Sequence, residues 1–304
     1  MGSSIDLAPE TYRNILESLP AAVCLIDRER RIVLWNEASE RITGHLGQEV
    51  IGRRCADNLL MDCEANGEIL CGAACPLDQT AHDGQTREAD VFLLHKDGHR
   101  VPVRIHTVPV RDEEGSIIGA CECFDEHPIG LPVIRPVHPI EPAIGLDQVT
   151  QLPDRSAILR RLEAELQDFR ASGLLFGVLC LTVDNLDGLR ETGGGKAAKS
   201  VLRAAGRTLA SSVGPGDLVG YWSEDEFVAI VNGCTEAMLL QFGIALKRLA
   251  GLDAVPWWGG HLKATMSVGG TIARAEDTAQ QVVERAGLAL RNSMETGPNR
   301  VAVV

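Results

Sequence analysis

No apolar run in the 304-residue chain approaches the ~20 residues that a membrane-spanning helix requires, so no span is expected. Basic residues are also scarce. Lys and Arg number 29 against 42 Asp and Glu, a formal net charge of -13. Binding to a phosphate backbone would work against that field, and nucleic acid is not an expected partner. The opening MGSSIDLAPE lacks the basic segment and following apolar segment of a secretory leader, which makes the cytoplasm the expected location. Internal repeats and low-complexity tracts are absent outside one Pro-rich stretch. Cysteine, by contrast, is plentiful. Nine residues, an odd number without a secretion signal, argue for reduced thiols, metal ligands or redox sensing over a disulfide framework. With 45% hydrophobic content, a chain of this length can bury two cores, and two domains are expected.

The boundary falls at HPIGLPVIRPVHPIEPAIGL, residues 127–146, with prolines at 128, 132, 136, 139 and 142. Each lacks an amide donor and clashes with a preceding helical turn, so a continuous helix is excluded. The stretch reads as an extended, semi-rigid linker or as an arm lying along one domain.

Residues 8–126 open with a helix pattern placing Tyr12, Ile15, Leu16 and Leu19 on one face. AAVCLID and RIVLW flank a charged turn as a β-hairpin. After short helical material and a cysteine-rich loop, EADVFLLHK, RVPVRIHTVPV and GSIIGACECF alternate as strands of a meander, with turns at Asp97-Gly98 and Glu114-Gly115. This order, with LPAAVCLIDRERRIVLWNEASERITG in front and HKDGHRVPVRIHTVPVRDEEGSIIGACECF behind, resembles the PAS sensory domain. The resemblance implies a curved antiparallel sheet with flanking helices, whose concave side holds a small ligand or cofactor or serves as a plain core for dimerisation.

Residues 147–304 alternate helices and strands as an α/β domain. A helix starts after Pro153, LLFGVLCLTV is a buried strand, and KAAKSVLRAAGRTLASS is a helix with a Val201, Leu202, Ala205, Leu209 stripe. The segments DQVTQLPDR, VDNLDGL, VGYWSEDEFVAIV, MSVGGTIA and NRVAVV occur in the order found in the GGDEF family of diguanylate cyclases, which the domain resembles over its whole length. A palm-like fold is implied, with a site that joins two GTP molecules into cyclic di-GMP using carboxylate-held Mg²⁺. Three carboxylates match the family's metal ligands: Asp184, at the end of a buried strand, and Asp225 and Glu226 in the signature turn. Acidic residues in a hairpin also suit a merely solvated turn.

The rest of the implied site is replaced. Ser223 and Glu224 stand for the two signature glycines, adding bulk and negative charge. Arg190 and Lys199 stand for the guanine-contacting Asn and Asp. Asp187, Met294 and Pro298 stand for basic residues that neutralise phosphate. Of the R-x-x-D motif that binds product in the family, only Asp217 remains in Gly214-Pro215-Gly216-Asp217. The resemblance therefore implies a degenerate GGDEF domain, a regulatory or nucleotide-binding module in cyclic di-GMP signalling that lacks cyclase activity. The alternative is an active cyclase. Expected partners are GTP or another nucleotide, a small-molecule or redox signal at the sensor, and a second copy of the chain or another protein.

In the sensor, Cys55, Cys63, Cys71 and Cys75 lie within twenty-one positions and suggest Zn²⁺ or an iron–sulfur cluster, with ordinary thiols as the alternative. GRRCADNLL is similar to the adduct-forming motif of flavin-binding light sensors. However, Arg54 replaces Asn and Leu59 replaces Gln, which argues against a photoreceptor. His82, His95 and His99 are candidate haem or metal ligands, although His95 and His99 flank a turn and read as surface residues. Cys121 and Cys123, two apart on a strand, share a face and read as small core residues.

Overall fold

Alternation of apolar and polar side chains decides the first sheet. The computed structural model describes residues 8–55, 57, 59–72, 74–127, 145–251 and 254–304. All but the ends of the Pro-rich stretch 127–146 lies outside them, as do two positions of GRRCADNLL. The chain forms two compact units, the first made of most residues up to His127 and the second mainly of those after it.

The first unit begins with α1 (Pro9–Ser18), whose apolar stripe stays exposed at Tyr12, Ile15 and Leu19. Then come β1 (Ala22–Asp27), β2 (Ile32–Trp35), α2 (Glu37–Thr43), α3 (Gly47–Val50) and α4 (Pro76–Asp83), followed by β3 (Arg87–Leu94), β4 (Arg100–Arg111) and β5 (Ile117–Glu126). The sheet has the order β2-β1-β5-β4-β3. Its inner face carries Ala22, Cys24, Ile26, Val103, Ile105, Ala120 and Phe124, packed with Ile42 and Leu77 of the helices. Asn36 locks helix to strand. Its Oδ1 accepts from the Ser39 amide at 2.9 Å and the Val23 amide at 3.0 Å, while Nδ2 donates to the Ala21 carbonyl at 2.9 Å. One side chain thus caps α2 and fixes it against β1.

The second unit contains α5 (Arg155–Ser172), β6 (Phe176–Val183), α6 (Leu186–Ser211), β7 (Leu218–Ser223), β8 (Glu226–Asn232), α7 (Glu236–Gly251), β9 (Val255–Trp257), β10 (Gly260–Leu262), β11 (Met266–Ile272), α8 (Ala279–Met294) and β12 (Val301–Val303). The main sheet has the order β12-β11-β6-β8-β7, and β9 and β10 form a separate hairpin. Helices cover both faces, which explains why all eight residues of β6 are buried and read as one apolar run. Leu179, Leu181, Phe227 and Ala229 pack with α6 and α7 residues on one side. Phe176, Val178, Val228 and Ile230 meet Ile158 and Leu162 of α5 and Val282 and Ala286 of α8 on the other. The expected stripe Val201, Leu202, Ala205, Leu209 is buried.

Two glycines shape this unit. Gly194, at φ 77 and ψ 171, interrupts α6 where a residue with a Cβ would be strained. A Cβ on Gly269 would overlap the Leu290 backbone, so MSVGG lets α8 lie directly on β11. Among the described residues, no helix is long and apolar enough to cross a membrane.

Candidate functional site

The acidic turn joins β7 to β8 through Glu224 and Asp225, with Ser223 opposite Glu226. None of Ser223, Glu224 and Asp225 has positive φ, so the conformational freedom of the glycines they replace is not used here. Ser223 Oγ donates to Glu226 Oε2 at 3.0 Å, and Tyr221 Oη donates to the Glu224 carbonyl at 2.9 Å. Arg155 lies 4.5 Å over the ring of Trp222, at the irregularity in the β7–β8 register. The turn is braced by its own side chains. The Glu224 side chain projects into solvent, while Asp225 is half-buried.

Asp184 serves a different part of the fold. Its carboxylate is 5% exposed, and both oxygens are taken. Oδ1 accepts from Ser267 Oγ at 2.8 Å; Oδ2 accepts from Thr265 Oγ1 at 2.6 Å and from the Asn299 amide at 2.9 Å. These donors precede or begin β11 and precede β12, so the carboxylate ties the end of β6 to both. Across the β6–β8 pair, the residue opposite Glu226 is Thr182. Directly opposed side chains share a face, so the Thr182 hydroxyl lies beside Glu226 on the sheet. Among the described residues, Asp184, Asp225 and Glu226 do not form a group with ligand atoms within 4.8 Å of one another. The residues present do not fit a resident Mg²⁺ held by these three carboxylates.

The replaced positions answer one another. Arg190 Nη1 donates to Asp187 Oδ1 at 2.7 Å, an exposed pair three residues apart on α6. Lys199, Met294 and Pro298 are exposed. Asp217 faces inward: Oδ1 accepts from the Asn232 amide at 2.9 Å and Oδ2 from the Gly214 amide at 3.1 Å. Burial raises its pKa from the ordinary aspartate value, against the pull of those two amides. It holds the loop before β7.

In the sensor, all nine thiols of the chain being free, the four expected ligands Cys55, Cys63, Cys71 and Cys75 do not converge. Cys55 and Cys75 are buried in the core, Cys71 is partly exposed, and the Cys63 thiol donates to the Phe92 carbonyl at 3.6 Å. Burial pushes the Cys71 thiol up to about 12 and the Cys75 thiol up to about 11, which favours the thiol over the metal-binding thiolate. His95 and His99 are only partly exposed.

Two features of β5 differ from the sequence reading. Glu122 is 3% exposed on the inner face, opposite Cys24 of β1, and shares the interior with buried Asp62. Desolvation, followed by the Asp62 charge, raises the Glu122 pKa well above the carboxylate range. The alternation of GACECF could have located it, since Ala120 and Phe124 point the same way. Cys121 and Cys123 do share a face, but it is the outer one, where both are partly exposed; they are not core residues. Their sulfurs lie 4.0 Å apart. The hydrogen bond from Cys121 brings Cys123 down to about 7, while the same contact raises Cys121. Alkylation of Cys123 by iodoacetamide is expected to accelerate as pH rises through about 7 and then level off. Cys71 and Cys75 should remain slow at pH values below their own pKa. Peptide mapping across a pH series reads both.

Comparison with known proteins places these features in a family. Residues 144–300 match the diguanylate cyclase GGDEF domain, and residues 10–124 match the PAS fold. The probable diguanylate cyclase DgcE of Escherichia coli is 21% identical over 293 residues, covering 95% of this chain and 26% of that protein. Diguanylate cyclase DgcP of Pseudomonas aeruginosa is 29% identical over 161 residues, 52% of this chain and 23% of its own length. This chain therefore spans only a minor part of either relative. Diguanylate cyclase SiaD of Pseudomonas aeruginosa, solved in complex with its activator SiaC, superposes with a TM-score of 0.51 at 26% identity, over 52% of this chain and 61% of that one. The GGDEF domain of DgcB from Caulobacter crescentus, solved with c-di-GMP, gives 0.51 at 20% identity over 56% and 98%, a likeness of fold. The chain belongs to the diguanylate cyclase GGDEF-domain family, with a PAS fold preceding that domain.

Proposed function

We propose that this chain is a cytoplasmic signalling protein whose GGDEF domain, residues 147–304, acts as a regulatory or nucleotide-binding module of cyclic di-GMP signalling without making cyclic di-GMP. The PAS domain, residues 8–126, supplies the input through the stretch 127–146. The observation that carries this reading is the Asp184 carboxylate. Three protein donors occupy it, and it is consumed in joining β6 to β11 and to the segment before β12. A cation on this carboxylate would compete with those donors, at a cost of order 1–3 kcal/mol for each one displaced and left without a partner. The projecting negative charge of Glu224 supports the same reading, since a triphosphate brings further negative charge to the turn.

Purified full-length protein incubated with GTP and Mg²⁺ or Mn²⁺ should return intact GTP on nucleotide chromatography. Cyclic di-GMP that forms and then disappears in Asp225→Ala would establish an active cyclase and overturn the proposal.

A further inference from the structure

The geometry points to a thiophilic-cation site on the outer face of the sensor sheet, built from Cys121 and Cys123 of β5 with His106 of β4 across from them. Along β5, Ala120, Glu122 and Phe124 turn inward, so Cys121, Cys123 and Asp125 share the outward face. The two sulfurs stand 4.0 Å apart. Two thiolates on a tetrahedral Zn²⁺, with Zn–S near 2.3 Å, sit roughly 3.8 Å apart, so the pair is spaced as two legs of such a site.

A disulfide fits less well. Residues i and i+2 of a strand lie about 6.6 Å apart at Cα, near the upper limit for a disulfide. The sulfurs would also have to close to about 2 Å. The strand geometry favours chelation over bond formation.

The third ligand comes from the register. His106 is paired directly with Cys123 and is exposed on the same face. Cβ atoms of such pairs lie about 4.5–5.5 Å apart, within the reach of an imidazole rotamer. In its present rotamer His106 does not form a group within 4.8 Å with the two sulfurs, so it closes on the ion by rotation about its side-chain bonds. Asp125 follows on the same face. Arg104, which lies opposite it, is held by Asp90 at 2.7 and 3.0 Å, and Asp125 is thereby available as an oxygen ligand. Sulfur and imidazole donors suit Zn²⁺ over Mg²⁺ or Ca²⁺. On binding, the thiol protons pass to solvent and both sulfurs coordinate as thiolates.

Cd²⁺, which gives an ultraviolet thiolate-to-metal absorption, is the probe. Titration of the reduced full-length chain should show one equivalent that is lost in Cys121→Ser/Cys123→Ser and weakened on the order of tenfold in His106→Ala. Equal stoichiometry in the wild type and the double variant overturns the site. A second reading needs no variant: Cd²⁺ should slow N-ethylmaleimide labelling of Cys121 and Cys123 together in the wild-type chain. Unchanged labelling of both at saturating Cd²⁺ overturns it as well.

Discussion

Replacing Asp184 by alanine is expected to destabilise the C-terminal domain by about 3 kcal/mol, lowering its unfolding midpoint by roughly 10 °C. The substitution strands the hydroxyls of Thr265 and Ser267 and the amide of Asn299, and Ser267 is fully buried. Hydrogen bonds to a charged acceptor are worth about 1.5–3 kcal/mol each, and the partly exposed donors will recover some of that from water. Asp225→Ala should behave differently, shifting stability by no more than about 0.5 kcal/mol, because the contact that matters there is the backbone carbonyl accepting from the Val183 amide at 3.0 Å. A working metal site predicts the opposite pattern. Carboxylates gathered for a cation repel one another in its absence, so losing either would leave the metal-free fold unharmed or more stable. Thermal unfolding of the two variants in chelator separates the readings; an Asp184→Ala domain as stable as the wild type would remove the main support for the proposed function.

The same residue shows what could and could not be read from the amino-acid order. Strands were legible because alternation is local: RVPVRIHTVPV and GSIIGACECF each show a strand period, and β6 is a continuous apolar run because helices cover both sides. The start of α5 after Pro153 is an equally local signal, whereas α6 begins ten residues before the expected helix and runs through the Gly-rich stretch with a break at Gly194. The short β9–β10 hairpin was missed because three-residue strands carry too little pattern. The role of Asp184 depends on Thr265, Ser267 and Asn299, more than eighty positions away, and on a register that sets Thr182 opposite Glu226. A motif fixes the order of residues, whereas cross-strand pairing decides which of them face one another. The cysteines divide in the same way: counting placed Cys121 and Cys123 on one face, but which face was core followed only from the packing of Ala120 and Phe124.

Glu122→Gln is expected to make the sensor domain more stable at neutral pH while changing little in acid. The Glu122 carboxyl sits in the core opposite Cys24, with Asp62 as a second buried acid, and both burial and that neighbour disfavour its ionised form. Its folded-state pKa is therefore raised above the unfolded value, so the folded state binds the proton more tightly. The resulting stability is full below the ordinary carboxylate range and is lost as pH rises from that range toward the raised pKa. The loss is about 1.4 kcal/mol per pH unit while the group remains protonated in the fold. Between pH 5 and pH 7 the wild-type sensor should thus lose stability that the isosteric amide keeps. Salt-bridged acids such as Asp83 and Asp90, whose pKa values are lowered by Arg87 and Arg104, contribute with the opposite sign, and only the difference between wild type and variant isolates Glu122. Denaturant unfolding of the full chain at the two pH values, with amide protection along β5 identifying the sensor transition, measures that difference. A variant whose pH slope matches the wild type would show that the carboxyl is ionised in the fold and compensated by water or a cation. A slope that flattens in the variant would establish Glu122 as a neutral acid held in the sensor interior, able to donate a hydrogen bond to whatever occupies it.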